Sequence, residues 1–198
     1  MDSGDITPSD VAPTYSGSMS NRRPRFEHDG GGARWGELAD ARADLAAAGR
    51  RLLYVHGIGI GFLATVRADG GPRVHPICPV LTESGLYGMI IPGPKLDDLR
   101  RDPRYALHTE TVPPPNQDDA FYVSGTAREM ADPVLWEQVA LRMLADRSST
   151  ERWPGFEAQV LFEFRVQRCL LTLTHAADGF PAGHTVWHAP PPHDMQGG

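Results

Sequence analysis

The sequence holds one lysine, Lys95, among 19 Lys and Arg residues. It stands in "IIPGPKLDDLRRDPRYALH", residues 90–108, just after Gly93 and Pro94 and at the start of a short helical pattern. A helix start presents free backbone N–H groups, and a cation beside them makes a place for phosphate. Arg73 opens the strand-like "PRVHP", and two basic residues on adjacent elements can grip a single phosphate. Asp97 and Asp98 work against this, because carboxylates in a first helical turn neutralise the same positive end. From the residues alone, the plain alternative is a solvated lysine.

Other patterns that could carry chemistry are weaker. "HGIGIG" (56–61) has the glycines of a nucleotide loop, but a dinucleotide fingerprint needs a strand before it and a helix after it. The strand-like "FLATVRA" follows instead, so the spacing predicts close backbone packing or a flexible lead-in. Eight histidines occur without HxH, HExxH or Cys-His spacing, and no metal site is expected. His75 and His108 fall inside strand patterns, whereas His184 and His188 lie in a turn-rich stretch. No G-x-S-x-G elbow is present, which leaves Ser124 in "YVSGTA" as a strand residue. Cys78 and Cys169 sit in separate apolar runs and read as buried, inert thiols.

These residues must be positioned by one domain. The chain has 198 residues, 40% hydrophobic, and a formal charge of −6, which argues against a general binder of nucleic-acid backbone. No apolar run is long enough for a membrane span, and the N-terminal stretch lacks the apolar segment of a secretory signal. A cytoplasmic location is expected. Residues 1–32, rich in Ser, Asp, Pro and Gly, read as a mobile tail, residues 33–189 as the domain, and 190–198 as a loose C-terminus.

Within the domain, "ARWGELADARADLAAAG" reads as one helix stopped by Gly49. "ADGG" between two β-rich runs predicts a hairpin, and "TESG" a second turn before "LYGMII". "KLDDLRR" reads as a helix ended before Pro103. "YALHTE" and "AFYVSGTAREM" read as strands, and "DPVLWEQVALRMLADR" as a helix capped by Asp132, with Leu135, Val139 and Met143 inward. "AQVLFEFRVQRCLLTLTH" supplies one or two more strands. About six or seven strands joined by short turns, with three helices at the edges, predict an antiparallel barrel or sheet of the α+β class.

Three segments in this order resemble the pyridoxamine 5′-phosphate oxidase-like superfamily of flavin-binding split β-barrels: "FLATVRADGGPRVHPICPV", "GLYGMIIPGPKLDDLRRDPRYALH" and "FYVSGTAREMADP". The resemblance runs from Gly61 to Met130, with a weaker trace to Trp187. It implies that Arg73 and Lys95 contact the phosphate of FMN, that the strand Arg73-Val74-His75-Pro76-Ile77 lies along the cofactor, and that the site forms between the subunits of a homodimer. The B6-synthesising oxidases differ from this chain. They carry a second lysine where Cys78 stands, a Ser-Arg where Gly93-Pro94 stands, and a C-terminal Arg-Leu-Ala-Pro where "TVWHAP" offers Trp187 and His188. The resemblance therefore implies an oxidoreductase passing hydride to or from another small organic substrate. F420 is the alternative cofactor within the same fold. Haem ranks last, with His108, His184 or His188 as ligands, and a non-catalytic carrier is the other class of function. His75 is the best candidate for proton transfer, since an unperturbed imidazole pKa of ~6.5 suits neutral pH.

Overall fold

The computed structural model describes residues 31–111, 119–174 and 183–191. The expected N-terminal tail, bar Gly31 and Gly32, and the C-terminal tail after residue 191 lie outside them.

The chain is α+β, with eight antiparallel strands and four α-helices among the described residues. Helices α1 (Trp35–Ala41) and α2 (Ala43–Leu53) lead into β1 (Gly61–Val66) and β2 (Pro72–Ile77). These form the predicted hairpin, closed where Arg67 N donates to Gly71 O at 2.8 Å. A two-residue β3 (Val80–Leu81) and β4 (Leu86–Ile90) flank the "TESG" turn, in which Thr82 N donates to Gly85 O at 3.0 Å. Helix α3 (Pro94–Arg101), β5 (Arg104–Thr109), β6 (Ala120–Glu129), α4 (Pro133–Asp146), β7 (Val160–Leu173) and β8 (Gly183–His188) complete the order.

The strands hydrogen-bond in the order β2-β1-β5-β6-β7-β4-β3. The 14-residue β7 organises this sheet: β6 pairs along one edge, while β4 and β8 take opposite ends of the other. The two end strands, β2 and β3, are separated by only Cys78 and Pro79. The sheet must therefore curl until its ends meet, yet no ladder joins them. Alternation then decides which side chains enter the barrel. Leu63 and Thr65 of β1, Tyr105 and Leu107 of β5, and Phe121 and Val123 of β6 are buried, while Phe62, Val74 and His108 face outward. Strand β4 is buried throughout because α4 covers its other face through Val139, Ala140, Met143 and Leu144.

Several local signals act as the sequence implies. Asp132 caps α4, its Oδ1 accepting from Val134 N at 2.8 Å and Leu135 N at 3.2 Å. Asp102, before Pro103, is extended and ends α3. Three expectations are corrected. The first predicted helix breaks at Arg42 (φ −148°, ψ 72°) into two, giving four helices rather than three. Gly49 does not stop it: α2 continues to Leu53, and a Cβ at Gly49 would lie 2.6 Å from the Phe121 ring. That glycine lets α2 settle on β6. The stretch around His184 and His188, read as turn-rich, forms β8 against β7 and raises the strand count to eight.

Gly49→Ala should thus reverse the usual helix trend. Propensity alone favours alanine by about 1 kcal/mol, but crowding a buried ring costs roughly 1–3 kcal/mol. Urea unfolding should show a net loss of stability; a gain would mean that Phe121 yields freely.

Candidate functional site

Arg73 of β2 meets α3 at Asp98, and Lys95 in the first turn of α3 lies near Cys78, just past the end of β2. Along β2, Arg73 and His75 alternate inward with Ile77, and α3 lies across the same side of the β1–β2 hairpin. Pro94 occupies the first turn of α3, which places Lys95 next to the helix start.

Asp98, rather than Lys95, is the centre of this junction. Its side chain is 3% exposed and sits on the inward face of α3 between Leu96 and Leu99. One oxygen accepts from Arg73 Nε at 2.6 Å and Thr65 Oγ1 at 3.0 Å, the other from Arg101 Nη2 at 3.0 Å. Arg101 also donates to the Val66 carbonyl. Burial alone would raise the Asp98 carboxyl, but the bonds from Arg73, Arg101 and Thr65 outweigh it and hold the group below its ordinary pKa. The sequence offered a signal for this: β1 alternation turns Thr65 into the core, where a hydroxyl needs a partner.

A cavity of about 330 Å³ opens beside this network, lined by Arg67, Arg73 and Arg101 and by Asp69, Asp97 and Asp98. Arg67 pairs with Asp69 at 2.8 Å. Three guanidiniums thus face three carboxylates. Lys95 does not line this cavity; it is half-buried and within electrostatic reach of the Cys78 thiol. Burial pulls its ammonium below the ordinary lysine pKa, and Cys78 opposes that shift. No hydrogen bond or ion pair to Lys95 occurs among the described residues. Among the same residues the Nη groups of Arg73 have no partner and His75 Nε2 is buried without a hydrogen bond.

The remaining candidates are dispersed. Val74 and Pro76 are exposed and outward, and Ile77 is buried. Trp187 on β8 packs against the core opposite Cys169, and β1, β5, β6 and β7 separate it from β2. His108 Nδ1 donates to the Thr109 carbonyl at 2.6 Å, and His184 Nδ1 bonds to Thr172 Oγ1 at 3.1 Å. Ser124 lines an outward cavity of about 360 Å³. Cys169 is buried, and burial pushes its thiol to about 11. Cys78 is only half-buried, contrary to expectation, because it lies in the β2–β3 connection. Two glycines of "HGIGIG" serve packing, since a Cβ at Gly59 would fall 1.9 Å from the Pro79 carbonyl oxygen and one at Gly61 2.8 Å from that of His108, while Gly57 has open space around it and a φ of +76°. Among the described residues no group of three or more His, Cys, Asp and Glu could hold a metal ion, and no helix is long and apolar enough to cross a membrane.

The curled sheet, with its unpaired seam between β2 and β3 and a short helix lying over the hairpin, matches solved structures. A pyridoxamine 5′-phosphate oxidase-related, FMN-binding protein from Nostoc punctiforme superposes with a TM-score of 0.52 over 77% of this chain and 91% of that one, at 16% identity. The chain has the split β-barrel fold. A haem-binding protein from Mycobacterium smegmatis has the same barrel, with a TM-score of 0.53 and 17% identity over 70% of this chain, which spans 57% of that protein. An FAD-binding protein from Mesorhizobium loti matches at 0.50 and 20% identity, over 63% of this chain and 91% of that one. No protein-family model and no curated protein matches the sequence.

In this split barrel the Asp98 network makes a prediction about pH. A carboxyl held below its unfolded pKa contributes stability above that value, ~3.9, and loses it as pH falls through the folded pKa. Asp98→Asn should therefore cost about 2 kcal/mol at pH 7, and the gap between wild type and variant should be narrower at pH ~3. Urea unfolding at both pH values measures this; a pH-independent gap would contradict it.

Proposed function

We propose that the chain is an FMN-binding oxidoreductase that passes hydride to or from a small organic substrate. The observation that carries this is a set of groups at the β2–α3 junction without partners among the described residues: the Nη groups of Arg73, the half-buried Lys95 ammonium and the buried Nε2 of His75. A buried polar atom such as His75 Nε2 rarely goes without a partner in a native fold. A ligand with a phosphate and a ring rich in acceptors would satisfy all three, and FMN has both.

Arg73 and Lys95 would take the phosphate from different elements. Asp98 fixes the Nε side of Arg73 and leaves the Nη groups to meet phosphate oxygens in pairs. Partial burial leaves Lys95 poorly hydrated, which strengthens its attraction to an anion. Strand β2 ends the sheet, so the backbone groups on its outer edge are free to meet the ring. Bound FMN would supply the hydride chemistry, and His75 could hold or move a proton at Nε2.

A second subunit fits this reading. Four strands lie between Trp187 and Arg73 in the sheet of one chain, so a site using both would draw them from two chains. The outward face carries Phe62, Val74 and Val186, 42%, 60% and 41% exposed, apolar surface that pairing would cover.

Fluorescence titration with FMN tests the phosphate role. Replacing Arg73 and Lys95 together by alanine removes two charge-assisted contacts and should weaken FMN binding by at least ~100-fold. Unchanged affinity in the double variant would sink the assignment.

A further inference from the structure

A larger cavity, about 440 Å³, lies on the other flank of α3, against β6 and β7. Its volume falls within the range of small-molecule sites. Its floor is apolar, from Leu99, Pro103, Ala127 and Phe162, and its rim carries Arg100, Arg128, Arg165 and Glu129.

The rim is electropositive because of how its ion pairs are shared. Arg100 is spent on Glu129, with bonds of 2.8 and 2.9 Å. Arg128 stands directly opposite Glu163 in the β6–β7 ladder. Glu163, however, is 1% exposed and already doubly engaged: one oxygen accepts from Arg34 Nε at 2.9 Å, the other from Arg165 Nε at 2.8 Å. Arg128 is therefore left without a partner among the described residues. Arg165 is anchored through Nε alone, and its Nη groups are unpaired among those residues. In this network four guanidiniums meet two carboxylates, whereas beside Arg73 the same count is three against three. Arg165 pairs with Thr126, two residues from Arg128 on β6, so the two arginines are diagonal cross-strand neighbours. Glu163, shared between Arg34 and Arg165, neutralises only part of their charge, which leaves these neighbours a surplus that a further anion would offset.

We propose that this cavity binds a small organic carboxylate, its two oxygens bridging Arg128 and the free edge of Arg165, its apolar body on the floor formed by Leu99, Pro103 and Ala127. A planar carboxylate matches the guanidinium fork, and buried Glu163 holds Arg165 ready for it. The site is separate from the β2–α3 junction and does not depend on flavin binding.

The test is titration of the full chain with 2-naphthoate and with its neutral counterpart, 2-naphthamide, followed by calorimetry and amide NMR shifts. Arg128→Gln removes the surplus charge while leaving both Glu163 bonds intact. We expect saturable binding of naphthoate, with shifts at Thr126 and Arg128, and weakening when KCl is raised. The amide, and naphthoate with Arg128→Gln, should each bind at least ~10-fold more weakly. Equal binding of acid and amide, unchanged affinity in Arg128→Gln, or no saturable binding would each overturn the proposal.

Discussion

The buried carboxylate of Asp98 is the constraint on which the β2–α3 junction rests. A charge almost fully removed from water is tolerable only when its oxygens are occupied. Here Arg73 and Arg101 bring charge and Thr65 a hydroxyl. The three donors come from β2, α3 and β1, so satisfying one carboxylate fixes the short helix over the hairpin. The same bonds orient Arg73, and a residue that looks like a competitor for phosphate becomes the support of the residue that would hold it.

Much of the fold was legible because its signals are local. The "ADGG" hairpin, the "TESG" turn, the Asp132 cap and the end of α3 before Pro103 each depend on a few neighbouring residues with one favoured geometry. Gly49 shows where locality fails. As a glycine late in a helical stretch it reads as a stop, but its role is set by Phe121, far along the chain. The break at Arg42 and the strand at Gly183–His188 also depend on packing, the latter on the free edge of β7 beyond β4. At the site, residue types and order pointed to Arg73, His75 and Lys95. Which carboxylate faces in, and which arginine it takes, follows from the crossing of α3 over β1, which no sequence window contains.

The two flanks of α3 show how differently the same residue types behave. On one side arginines and aspartates balance, and the groups without partners among the described residues are the Nη edge of Arg73, Lys95 and the buried Nε2 of His75. On the other, one buried glutamate serves two arginines and a third is left over among the described residues. In a chain with net charge −6, positive potential arises from this local sharing and not from composition.

The central claim, that the β2–α3 junction recognises a flavin through its phosphate, is tested most directly by comparing the affinities of the wild-type chain for FMN and for riboflavin, which lacks the phosphate. The account predicts that FMN binds at least ~100-fold more tightly, as two charge-assisted contacts require. Equal affinity for the two would contradict it.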